Sequence, residues 1–169
     1  KSAEDKGSVK QLTEQWLKQK DIGIGTVELH YTLIKPCLIA EELLEDSSVK
    51  DYSCSLVDYK IWCFNGKPYG VFIVYDRDLK TGHHLFDFYD VNWNRHTEKL
   101  AKIPQKHAIK RPDCLKQMLY VASRLSEGYA QMRVDLYCVA GRIYFGELTM
   151  TSQGGFMDYF TKESLLDMG

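Results

Sequence analysis

The chain has 169 residues, of which 44% are hydrophobic, 27% charged and 12% aromatic, and its formal net charge is -1. That size and content predict one folded domain spanning residues 1–169, with a sizeable core, and exclude a disordered chain. The near-zero charge excludes a phosphate-backbone binder built on clustered Lys and Arg, and no run approaches the ~18 apolar residues of a membrane-spanning helix.

In chain order, residues 8–20 carry Val9, Leu12, Trp16 and Leu17 at helical spacing, which predicts an amphipathic helix ending at Gly23 and Gly25. After Pro36, the continuous apolar run Cys37-Leu38-Ile39-Ala40 predicts a short strand buried on both faces, leading into Glu41-Glu42-Leu43. Residues 53–64 read as a strand that turns at Asn65-Gly66, and residues 69–75 return antiparallel. Residues 85–89 read as a further strand. A basic, proline-flanked loop over residues 99–111 precedes a helix over residues 113–127. Its apolar face carries Leu115, Met118, Leu119, Ala122 and Leu125, and it stops at Gly128. Strands over residues 131–138 and 142–150, then Gly154-Gly155 and a terminal helix, complete an α+β pattern with an antiparallel sheet and flanking helices.

The five cysteines, Cys37, Cys54, Cys63, Cys114 and Cys138, form no CxxC pair and mostly lie in apolar runs. They are expected to be reduced, buried thiols of a cytosolic protein, without a disulfide and without a zinc site. His83-His84 reads as a solvated turn pair. Because residue 1 is Lys rather than Met, the chain is expected to be processed or a piece of a longer protein.

The most informative stretch is Arg133-Val134-Asp135-Leu136-Tyr137, a turn, and Ile143-Tyr144-Phe145-Gly146-Glu147-Leu148-Thr149. Strand alternation puts Arg133, Asp135 and Tyr137 on one face and Val134, Leu136 and Cys138 on the other. Asp135 and Glu147 are 12 residues apart, so an odd number of intervening loop residues points both the same way. A three-residue loop at Val139-Ala140-Gly141 meets that condition, with Glu147 opposite Arg133 and diagonal to Asp135, roughly 7–8 Å away between backbones. Two carboxylates so placed can share Mg²⁺ holding a nucleotide's phosphates. The same alternation also describes the solvated face of a half-covered sheet, and spacing leaves both readings open.

The hairpin sequence resembles the last signature of ATP-grasp enzymes. Within that superfamily it is most similar to the TupA-like group associated with teichuronopeptide and other cell-surface polysaccharide biosynthesis. Further segments fit in order: Glu28 and Tyr31; Ile39-Ala40-Glu41-Glu42-Leu43; Asp58-Tyr59-Lys60 with Cys63-Phe64-Asn65-Gly66; Asp76-Arg77; Asp90 and Trp93. The resemblance implies an ATP-grasp-like fold, ATP and Mg²⁺ as cofactors, and a set of roles. Asp135 and Glu147 match metal-binding acids, and Thr149 stands where many relatives place a metal-contacting Asn. Arg133 matches an arginine facing the transferred phosphate. Glu41, Glu42 and Leu43 resemble the hinge that reads adenine, with either glutamate as the contact and Glu45 or Asp46 available to the ribose. Lys60 and Arg77 resemble the cations that meet the β- and γ-phosphates.

ATP-grasp enzymes place a lysine strand and a glycine-rich loop before this region, and residues 1–30 hold only Gly7, Gly23 and Gly25. The chain is therefore expected to be the C-terminal part of the fold, lacking activity by itself. The implied chemistry is a carboxylate–amine ligation through an acylphosphate. Its carboxylate and amine substrates lie on a surface-polymer precursor, with no nucleic acid partner, at a cytoplasmic location. A glycosyltransferase of the same pathway and a non-catalytic nucleotide- or glycan-binding domain are the alternatives.

Overall fold

The computed structural model describes residues 6–19, 28–78, 80–102 and 108–169. By its internal contacts the chain divides into two compact units, residues 1–43 with 153–156, and residues 44–152 with 157–169.

The first unit holds helix α1 (Lys6–Lys18) and a single 3-10 turn at Leu29–Leu33. Val9, Leu12, Trp16 and Leu17 lie on α1 at the expected spacing, and all four are exposed. The helix stop expected at Gly23 and Gly25 falls outside the described residues. The strand expected at residues 37–40 is corrected. Residues 34–43 have no regular structure, no ladder among the described residues reaches them, and Leu38, Ile39 and Leu43 are exposed. A continuous apolar run becomes a buried strand only where neighbours pair both of its edges, and the run itself does not encode those neighbours.

The second unit is built on a five-stranded antiparallel sheet in the order β3-β2-β1-β4-β5. Its strands are β1 (Asp58–Phe64), β2 (Lys67–Tyr75), β3 (Leu85–Asp90), β4 (Gln131–Val139) and β5 (Arg142–Thr149). Helix α2 (Leu115–Leu125) and the short α3 (Lys162–Met168) flank it, so the α+β expectation stands. Asn65 and Gly66 turn β1 into β2 with φ of 49° and 73°, the left-handed pair that a two-residue hairpin requires.

Alternation decides what each face of the sheet does. Tyr59, Ile61 and Cys63 of β1 and Met132, Val134 and Leu136 of β4 are buried in one core with Leu115, Met118 and Ala122 of α2. The opposite face is divided. Over β2 and β3, Phe72, Val74 and Phe88 pack with Trp62, Leu100 and Phe160. Backbone bonds tie this cover down: the Ala101 amide donates to the Tyr159 carbonyl and the Thr161 amide to the Lys99 carbonyl, both within 2.9 Å. Over β1, β4 and β5 the same face carries charged side chains.

The cysteine expectation is also corrected. Cys114 and Cys138 form a disulfide, with Cα atoms 6.7 Å apart, while Cys37 and Cys54 are exposed and Cys63 is a buried thiol. Cys114 immediately precedes α2, which lies against β4, and Cys138 stands near the end of β4 on the side facing that helix. Tertiary packing thus joins two residues separated by 24 positions. The step from reduced thiols to a cytosolic protein loses its footing with that pairing. No helix among the described residues is long and apolar enough to cross a membrane.

Candidate functional site

The ion cluster follows from strand register. Lys60 pairs with Asp135 across β1 and β4, and Asp135 pairs with Glu147 across β4 and β5. The next row is Trp62, Arg133 and Thr149. Because all six positions share a parity, their side chains stand on one face.

Asp135 and Glu147 do point the same way, through a different device from the one expected. The turn has two residues, Ala140 and Gly141, with φ of 50° and 76°, rather than three. The odd residue is Gly146, bulged between the Asp135–Glu147 and Leu136–Phe145 pairs. A Cβ at Gly146 would lie 3.0 Å from the Asp135 carbonyl oxygen and 3.1 Å from the Tyr137 ring, so the bulge accepts only glycine without a shift. The bulge also corrects the pairing: Glu147 stands directly opposite Asp135, and Thr149 takes the place opposite Arg133.

Directly opposed carboxylates repel unless a cation sits between them, and here Arg133 supplies it. Its Nε donates to Asp135 Oδ1 at 2.7 Å and its Nη2 to Asp135 Oδ2 at 2.8 Å, a bidentate pair. Nη2 also reaches Thr149 Oγ1 at 2.9 Å and Glu147 Oε2 at 3.3 Å, and Nη1 donates to the buried Ser152 hydroxyl at 2.7 Å. Asp135 is 2% exposed, so it does not stand on a solvated face. Glu147, with 52% of its side chain exposed, is the open member.

Lys60 donates to Asp135 Oδ2 and lies 2.7 Å from Asp58 Oδ2. Arg77 Nη2 is 3.7 Å from the same Asp58 oxygen. Arg77 follows the end of β2 rather than lying on a strand, and serines preceding β1 hold it in place. Ser53 Oγ accepts from the Asp76 amide at 2.8 Å and Ser55 Oγ from the Arg77 amide at 2.9 Å. Asp58 is buried, and that burial pushes its carboxyl above the ordinary carboxylate range, with Lys60 opposing the shift. Burial likewise raises the Tyr137 phenol, helped by the nearby charge of Asp58.

The structure thus gathers Lys60, Arg77, Arg133, Asp135, Glu147 and Thr149 on one unit. Glu41, Glu42 and Leu43 belong to the other unit, on an exposed irregular stretch. Two participants escaped sequence reasoning. Asp58 carries the signal of standing two residues before Lys60, hence on its face, whereas Ser152 carries no local signal.

The donor set fits a magnesium-bound nucleotide. Asp135 and Glu147 offer hard oxygens from paired positions, with a hydroxyl at Thr149 and three cations beside them. Among the described residues no three Asp, Glu, His or Cys side chains converge on a metal position. Two carboxylates with phosphate oxygens filling the remaining positions is the way Mg²⁺ is commonly held.

No curated protein and no solved structure matches the chain. The model of the family described as TupA-like ATPgrasp matches residues 1–169, the entire sequence. The chain belongs to the TupA-like ATPgrasp family.

Proposed function

We propose that the chain carries the metal- and phosphate-facing part of an ATP-dependent carboxylate–amine ligase of bacterial cell-surface polysaccharide biosynthesis. One observation supports this most: paired Asp135 and Glu147 share a face with Lys60 and Arg133, and Arg77 reaches Asp58 on that face, in a member of an ATP-grasp family. Glu147 and Asp135 would hold Mg²⁺, with Thr149 beside them. When bound, Mg²⁺ would supply neutralisation of the phosphate charge during phosphoryl transfer.

The protein's own groups then have distinct tasks. Arg133 fixes the Asp135 carboxylate by two parallel bonds and keeps a positive charge at the phosphate side of the acids. Arg77, the more exposed of the two candidate phosphate cations, meets the outer phosphates, and Lys60 serves from the strand. A substrate carboxylate takes the γ-phosphate to give an acylphosphate and ADP, and an amine on its partner displaces phosphate to form the amide. Both substrates belong to a surface-polymer precursor handled on the cytoplasmic side.

The test is ADP release from Mg-ATP by the intact enzyme, with panels of uronic acid or peptide carboxylates and amines. ADP and phosphate formed only when both a carboxylate and an amine are present would support the ligase. Sugar transfer from a nucleotide sugar without ATP consumption would overturn it.

A further inference from the structure

Asp58 holds a position that the proposed function leaves unused. It stands on the same face of β1 as Lys60, 6% exposed, and its two oxygens have different surroundings. Oδ2 is 2.7 Å from Lys60 Nζ and 3.7 Å from Arg77, whereas Oδ1 is buried without a hydrogen-bond partner. An unmade bond on a buried carboxylate is costly, and native proteins retain few such atoms.

Lys60 is shared between Asp58 and Asp135. Asp135 Oδ2 is shared in turn, between Lys60 and Arg133. For Asp135 to ligate a cation through Oδ2, the oxygen that already accepts from both positive groups, one of the two has to leave it. Arg133 is held there by a bidentate pair and further anchored on Ser152 and Thr149, so moving it breaks several bonds. Lys60 breaks one, and it already touches a second carboxylate with an oxygen to spare.

We infer that Asp58 is a positioning residue that takes Lys60 over from Asp135 when a divalent cation binds, freeing Asp135 Oδ2 for the metal. The inference rests on reading Asp135 and Glu147 as the metal pair. It gives Asp58 a counterintuitive signature, because Asp58 would strengthen metal binding only through Lys60 and not as a ligand.

The experiment is Mn²⁺ binding to the full chain, followed by electron paramagnetic resonance without nucleotide, alongside thermal melting of each variant. Lys60→Met should tighten Mn²⁺ binding by roughly three- to tenfold, since Asp135 loses its competitor. Asp58→Asn should weaken it by a similar factor, because Lys60 then falls wholly to Asp135. In the Lys60→Met background the same Asp58→Asn change should cost less than about twofold, the residue of lost through-space attraction. Asp58→Ser repeats the cycle if Asp58→Asn melts early. An equal loss in both backgrounds, or no tightening in Lys60→Met, overturns the inference while leaving the metal pair intact. Mn²⁺ affinity unchanged in Glu147→Gln instead overturns the metal reading itself, and the inference with it.

Discussion

One face of the sheet carries two regions built on opposite principles. Over β2 and β3, Phe72, Phe88 and Phe160 meet at ring-centroid distances of 5.3–5.7 Å, closed under the segment that leads into α3. Over β1, β4 and β5, buried Asp58, Asp135 and Arg133 interleave with Lys60 at the same depth. The aromatic region gains stability in proportion to the apolar area removed from water. The ionic region gains little, because desolvating paired charges offsets their attraction, and well-packed apolar residues are often at least as stable. A sheet able to cover one half with rings keeps charges on the other for a reason other than folding, and the proposed metal-bound nucleotide would supply that reason.

The contrast is sharpest under mutation. Phe72→Ala, in the aromatic half, should lower unfolding free energy by about 3–5 kcal/mol in urea melts while leaving Mg²⁺ dependence untouched. A change in metal response without a loss of stability would break the division. On the far side of the sheet, replacing Cys114 and Cys138 by Ser should cost about 3 kcal/mol through the freed loop, and a reductant should lower the wild-type melting temperature in the same way.

Smaller effects belong to the ionic half. Glu147→Gln removes an exposed acid, so its melting temperature should stay within a degree or two of wild type. ADP formation by the intact enzyme should nevertheless fall by about 100-fold or more, a loss on the order of 2.7 kcal/mol in the transition state. Gly146→Ala forces a Cβ against the Asp135 carbonyl and should cost about 1–3 kcal/mol. Outside that half, a pH series at Asp87 of β3 is the mildest probe. Burial raises the Asp87 carboxyl above its ordinary value, with bonds from the Phe88 amide and Arg95 opposing the shift, so the folded state holds that proton more tightly than the unfolded chain. Stability contributed at this position is therefore greatest below about pH 4 and falls as pH rises through the folded pKa. The stability difference between wild type and Asp87→Asn should shift in favour of the Asn variant across that range, read from urea melts between pH 3.5 and about 6.

Most of the sheet was legible because its strands alternate and because Asn65-Gly66 names its own turn. The face shared by Asp135 and Glu147 was legible as parity alone. Parity counts one extra residue without saying where, and a three-residue turn and a bulge at Gly146 satisfy it equally. Residues 37–40 misled because an apolar run looks the same whether or not strands pair its edges. Cys114 and Cys138, and the Lys60 bridge from Asp58 to Asp135, depend on chain segments that meet only after folding. Local spacing has no access to such pairs.

The central claim is that the ionic half exists to hold a metal-bound nucleotide, and calorimetric titration of ADP with and without Mg²⁺ tests it most directly. Wild type and Glu147→Gln should be compared at equal ionic strength. The account predicts that Mg²⁺ strengthens ADP binding to wild type by roughly tenfold or more and leaves Glu147→Gln nearly unmoved, each tenfold being 1.4 kcal/mol. The same Mg²⁺ enhancement in both proteins would contradict it and leave the cluster a structural network of the sheet.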